Sequence, residues 1–166
     1  MGFSFTLIAS RSGLEPPRQL TRITEVGGWT LYKPSKRYLQ PADLEDLTIR
    51  LAKDREGPAL GCWVQDSDWG YVAFALPEGV LGRVFVNPDA AEDYAEGQAA
   101  LSLAQDETDE AEERLAVWSQ FTPRQVSSET IKALVKRHTS FAEEPLFAIF
   151  EALGITVPQD RLWVQP

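Results

Sequence analysis

Apolar and polar positions alternate at the start of the chain. Phe3, Phe5, Leu7 and Ala9 fall on one side of an extended backbone, with Ser4 and Thr6 on the other, which is the period of a half-buried strand. A strand is expected over 2–9. The stretch 11–18 contains Gly13, Pro16 and Pro17 and reads as a loop. Two β-rich runs, 20–26 and 29–33, flank Gly27-Gly28, a pair able to take the positive φ values of a tight hairpin. Leu44, Leu47 and Leu51 then recur at helical spacing and Gly57-Pro58 supplies a stop, so a helix is expected over 42–55. Three further runs, 59–65, 69–76 and 80–86, are separated by Asp66-Ser67-Asp68 and Pro77-Glu78-Gly79. Connections this short favour an antiparallel meander.

The second half changes period. Asn87-Pro88-Asp89 reads as an N-cap, a proline at the first helical position and an acidic first turn, and predicts a helix from there toward 104. Another helix follows the acidic run 106–113 and carries Leu115 and Trp118, since negative charge favours a helix N-terminus. Thr122-Pro123-Arg124-Gln125 has the form of a capping box, ahead of a stripe of Ile131, Leu134, Val135 and His138. Ser140 and Glu143 form a second such box, with Pro145 as an alternative start for the helix. Leu146, Ile149, Phe150 and Leu153 make the clearest amphipathic stripe, closed by Gly154. Segments 155–157 and 161–164 are candidates for terminal strands. The whole reads as one α+β domain over 1–166, a mostly antiparallel sheet of about five to seven strands packed with a helical C-terminal half.

Charge alters this picture locally. The 166-residue chain carries 16 Lys and Arg against 25 Asp and Glu, a formal net charge of −9. No cation occurs between Val84 and Glu113, where Asp89, Glu92, Asp93, Glu96, Asp106, Glu107, Asp109, Glu110, Glu112 and Glu113 supply the whole imbalance. An acidic balance argues against general binding to nucleic acid or to an anionic membrane surface. Cys62 is the sole cysteine, so an intramolecular disulfide is impossible and a reducing cytoplasm is the expected compartment. The N-terminal run is too short for a membrane span and lacks the basic start of a signal peptide. Met1, Gly2 and Thr6 fit the permissive myristoylation pattern, but the run reads as an ordinary first strand. Eleven arginines against five lysines, with Asn87 the single asparagine, suggest a bacterial source by composition.

Candidate chemistry is sparse. There is no G-x-S-x-G elbow, S-x-x-K, P-loop or dinucleotide-binding turn. Cys62 and His138 are the single members of their types and each falls in an apolar pattern, which points to packing rather than nucleophilic catalysis. One histidine and one cysteine also exclude the usual zinc sites. The Asp66-Ser67-Asp68 run opens like a calcium loop, but glycine arrives early at Gly70 and Pro77 holds the last ligand position. Asp89, Glu92, Asp93 and Glu96 would share a helix face able to hold a divalent cation, yet a solvated face is the simpler reading. Tyr32, Lys33, Lys36, Arg37 and Tyr38 interleave cations with aromatics, a pattern that can hold a phosphate; a solvated loop or a counterpart to the acidic segment explains it as well. No cofactor and no metal are implied.

The favoured expectation is a non-catalytic interaction module whose acidic helical surface, with Asp106, Glu107, Asp109 and Glu110 at its centre, meets a basic protein partner. An inhibitor or immunity-like antagonist is its concrete form. The alternative is a small-ligand-binding protein or hydrolase-type enzyme using Trp63, Asp66, Asp68, Trp69 and Tyr71, because strand-end carboxylates beside aromatics suit both binding and acid–base work; packing in the sheet core explains the three aromatics equally well.

Overall fold

A computed structural model describes residues 4–11, 15–35, 41–87, 90, 108–137 and 139–162. Its centre is a six-stranded sheet of β1 (Phe5–Arg11), β2 (Leu20–Val26), β3 (Trp29–Pro34), β4 (Ala59–Gln65), β5 (Trp69–Leu76) and β6 (Gly79–Val86). The spatial order is β2-β3-β1-β4-β5-β6, and every neighbouring pair is antiparallel. Helix α1 (Pro41–Asp54) joins β3 to β4. Those two strands flank β1 and both oppose it, so they run parallel to each other and need a crossover, which α1 provides. The remaining described helices, α2 (Thr108–Ser119), α3 (Ser128–Val135), α4 (Glu143–Ala152) and α5 (Gln159–Leu162), follow the meander. The protein is therefore α+β.

Strand periodicity divides the core into two. Leu7, Ala9, Trp29, Leu31, Leu60 and Cys62 point to one side of the sheet, where they pack with residues of α2, α3 and α4 such as Leu115, Ile131 and Leu146. Ile8, Tyr32, Trp69, Tyr71, Ala73 and Ala75 point to the other and meet Leu44, Leu47 and Leu51 of α1. Covering both faces explains why Trp69 through Ala75 are all buried, without the polar alternation of a one-sided sheet. The same cause makes Ile8 core (0% exposed) although the alternation starting at Phe3 left it unassigned.

Local chemistry accounts for most element boundaries. Gly27 and Gly28 take φ of 58° and 78°, and close the β2–β3 hairpin as the sequence predicts. At the C-terminus of α4, the N–H of Ile155 donates to the carbonyl of Phe150 (2.8 Å) and that of Gly154 to Glu151 (2.9 Å). With Gly154 at φ 78° and Ile155 fully buried, this is a Schellman ending with its apolar contact.

Four expectations are corrected. The first strand begins at Phe5 and extends to Arg11, displaced from 2–9. Thr122 does not cap a helix: its hydroxyl lies 2.7 Å from the Ser119 carbonyl and 2.8 Å from that of Arg124, binding the turn after α2. Ser127 is the N-cap of α3, with its side chain accepting from the N–H of Thr130 at 3.2 Å. Residues 155–158 form no strand and 159–162 are helical: the Schellman turn buries Ile155 in the core, and the segment meets the edge strand β2 through a side chain, Arg161 Nη1 donating to the Ile23 carbonyl at 3.3 Å. Helix α4 begins at Glu143 with Ala142 as its cap and no side-chain capping bond, so Ser140 does not serve as one. The acidic face expected at Asp89, Glu92, Asp93 and Glu96, the helix expected to carry it, His138, and Lys36 to Tyr38 lie outside the described residues. No helix among the described residues is long and apolar enough to cross a membrane.

Candidate functional site

One flank of α4, bordering its buried stripe, carries a repeating set of side chains. Its inner stripe, Leu146, Ile149 and Phe150, is fully buried, which sets the helix's rotation. The residues offset from that stripe, Glu143, Phe147 and Glu151, recur every four positions and so form a column along the helix. Phe147 leans onto β1, where it stacks on Phe5 with ring centroids 5.6 Å apart. At the helix start, the N–H of Ala142 donates to the Ser67 carbonyl (2.8 Å) and the Ser67 hydroxyl donates to Glu143 Oε1 (3.1 Å). Glu143 Oε2 is buried and has no hydrogen-bond partner.

Ser67 can reach α4 because of the β4–β5 turn. Asp66 and Ser67 take φ of 49° and 62°, and the N–H of Asp68 donates to the Gln65 carbonyl at 3.0 Å. The register sets Gln65 opposite Trp69, so the turn has three residues, Asp66 to Asp68, of which the first two take the positive φ that tight hairpins use. The Ser4 hydroxyl anchors its outer side, accepting from the Asp66 N–H at 2.9 Å, and Ser67 is turned inward, 3% exposed.

Beside α4 lies an open groove of about 430 Å³. Phe141, Phe147 and Ala148 give it an apolar lining, while Glu143, Glu144 and Glu151 supply carboxylates and Gln159 of α5 closes one side. Phe141 is 50% exposed, a high value for a phenylalanine at a helix boundary. Among the described residues, none of the three glutamates is held in an ion pair. The nearest described guanidinium contact, Arg124 to the Glu151 carbonyl at 3.3 Å, engages backbone and leaves the carboxylate alone. A concave surface with aromatic walls and uncompensated carboxylates suits a cation attached to an apolar body, since the aromatic faces and the charges both favour it.

The residues singled out from sequence are distributed differently. Trp63, Trp69 and Tyr71 do come together: Trp63 meets Trp69 edge-on at 5.0 Å and Tyr71 at 6.2 Å. They lie on the α1 side of the sheet, where Trp69 and Tyr71 are 3% and 2% exposed and act as packing. Asp66 and Asp68 sit on the solvent side of the turn, and the Asp66 carboxylate accepts from Ser4 Oγ at 3.3 Å and Gln65 Nε2 at 3.2 Å. Tyr71 titrates well above the ordinary tyrosine range, chiefly because it is buried and secondarily because Glu45 is near; Glu45 itself pairs with Arg83 across α1 and β6.

Within the acidic segment, Asp106 and Glu107 lie outside the described residues and Asp109 falls in the first turn of α2. Glu110 pairs with Arg114 at 2.8 Å while keeping 74% of its side chain exposed, and Glu113 approaches Lys132 at 3.7 Å. Glu112 is buried, 5% exposed. Part of the acidity is thus consumed within the helical layer. Cys62 is fully buried and its thiol is pushed up to about 12 by that burial, so it stays protonated and unreactive at neutral pH. Among the described residues, no group of three or more His, Cys, Asp or Glu side chains is placed to hold a metal ion.

Sequence periodicity passed over the α4 groove. The capping-box form of Ser140 and Glu143 draws Glu143 to a local role, and Phe147 falls outside the stripe of Leu146, Ile149, Phe150 and Leu153. The available signal was the Glu-Phe-Glu repeat at four-residue spacing along the border of the apolar stripe. Together, fold and groove describe an α+β protein with an acidic, aromatic-lined depression on its C-terminal helical layer. No protein-family model, no curated protein and no solved structure matches the chain.

Proposed function

We propose that the chain is a non-catalytic interaction module that engages a basic protein partner, in the manner of an inhibitor or immunity-like antagonist. The observation that carries this reading is the open groove of about 430 Å³ in which Glu143, Glu144 and Glu151 stand beside Phe141 and Phe147. Apolar contact supplies affinity in such a depression and the carboxylates select for cationic side chains. The acidic segment adds to the same preference. Glu110 is paired with Arg114 at the surface and stays 74% exposed, and such pairs contribute less than about 1 kcal/mol, so its carboxylate is open to competition from another cation. Asp106, Glu107 and Asp109 extend that field along the sequence. Location in the cytoplasm fits a lone, reduced Cys62.

A calorimetric titration of the full chain with an amphipathic Lys/Leu peptide tests the reading. Binding is expected at low salt, weakening several-fold as ionic strength rises through the range where the Debye length shrinks to about 8 Å. Glu144→Lys and Glu151→Lys should each reduce it at least as much as Glu110→Lys. Salt-independent binding, or binding untouched by all three reversals, contradicts the proposal.

A further inference from the structure

Resting on that reading, we infer that the groove selects a helical partner segment in which two cationic residues eight positions apart bracket one apolar residue midway between them. On α4, Glu143, Phe147 and Glu151 recur at i, i+4 and i+8 in a single ten-residue helix. At a rise of 1.5 Å per residue, the outer carboxylates are separated by roughly 12 Å along the axis, with the phenyl ring about 6 Å from each. A second helix crossing α4 at about −50° sets its own i, i+4 and i+8 row alongside this one at the same spacing, so the complementary sequence is cation, apolar, cation.

Two further observations favour a helix over an extended segment. The described lining of the groove consists of side chains from α4, α5 and Phe141. A helix satisfies its own backbone groups, whereas an extended chain here would meet no sheet edge to pair with. The groove's volume of about 430 Å³ holds a few side chains rather than a small folded domain, as expected if three residues of a helix enter it.

The test uses the full chain and two synthetic helical peptides of identical composition. In one, lysines at i and i+8 flank a leucine at i+4; in the other, the same residues are permuted so that the lysines stand on opposite faces. Expected is at least tenfold tighter binding of the first peptide. Glu151→Lys should abolish this preference, and a peptide carrying Glu at the matching position should restore binding to that variant. Glu151 is exposed on α4, so the reversal leaves the core intact, and an unchanged circular dichroism spectrum verifies that. Equal binding of both peptides, still lost with Glu144→Lys, overturns the register while the basic-partner reading stands. Failure of both peptides to bind overturns the two together.

Discussion

Replacing Trp118 with phenylalanine tests how the C-terminal layer is held to the sheet. Trp118 is fully buried, its Nε1 donates to the Ala75 carbonyl at 2.9 Å, and its ring lies 6.0 Å from Trp29 and 6.5 Å from Phe74. Ala75 sits where the β5–β6 register shifts, so this indole ties α2 to an irregular point of the ladder. Phenylalanine keeps an aromatic ring but removes the donor, at a cost of about 1–2 kcal/mol for a buried hydrogen bond. It also leaves roughly 40 Å³ unfilled, which at about 24 cal/mol per Å³ adds about 1 kcal/mol. The expected loss is therefore about 2–3 kcal/mol. With a urea m-value of about 2 kcal/mol per molar, the midpoint should fall by about 1–1.5 M. Far-UV circular dichroism is the suitable readout, because removing a tryptophan alters fluorescence for trivial reasons. A midpoint within about 0.3 M of the wild type, well inside the loss expected from the buried bond alone, would show that the indole is not what fastens α2.

Other consequences can be measured as readily. A Cβ on Gly61 would lie 2.5 Å from Thr48 Oγ1 and 2.7 Å from Leu44 Cδ1, so Gly61→Ala must displace these buried side chains of α1 from β4. The cost should be about 1–3 kcal/mol, seen calorimetrically as a melting temperature lower by about 2–4 °C per kcal/mol; an unchanged melt contradicts the close packing. Because burial raises the Cys62 thiol to about 12 from 9.0, the native state keeps a proton that the unfolded chain gives up. That contribution is fully present below pH 9.0 and is lost as pH rises through about 12. Wild-type stability should fall over this interval by up to about 1.4 kcal/mol per pH unit more steeply than that of Cys62→Ala, and parallel pH profiles would refute the assignment. A thiol reagent at pH 8 should label Cys62 only after unfolding, as judged by mass spectrometry with and without urea.

Much of the fold was legible because its elements obey local rules. The Gly27-Gly28 turn, the Gly154 ending and the Leu44-Leu47-Leu51 stripe each follow from a single physical requirement, and each element formed where that requirement pointed. Misreadings arose where one side chain had two possible employers. Thr122 has the capping-box form, yet the end of α2 claimed its hydroxyl, leaving Ser127 to start α3. Ile155 to Val157 have strand-like composition, but the Schellman turn of α4 drew Ile155 into the helical core. Assignment of Ile8 to the interior required knowing that α1 covers the second face of the sheet, a tertiary fact that alternation along one strand does not carry. The groove was hidden for a related reason: Glu143 is positioned by Ser67, 76 residues earlier in the chain, and Phe147 by Phe5. Neither relation has a local signature.

The most direct test of the account is a backbone amide titration of the isotopically labelled full chain with the in-register Lys/Leu helical peptide. The account predicts saturable shift changes concentrated on Phe141, Glu143, Glu144, Phe147 and Glu151 and on Gln159, which shrink as salt is raised. Shift changes confined to the α1 side of the sheet around Trp63 and Tyr71, with α4 silent, would contradict it.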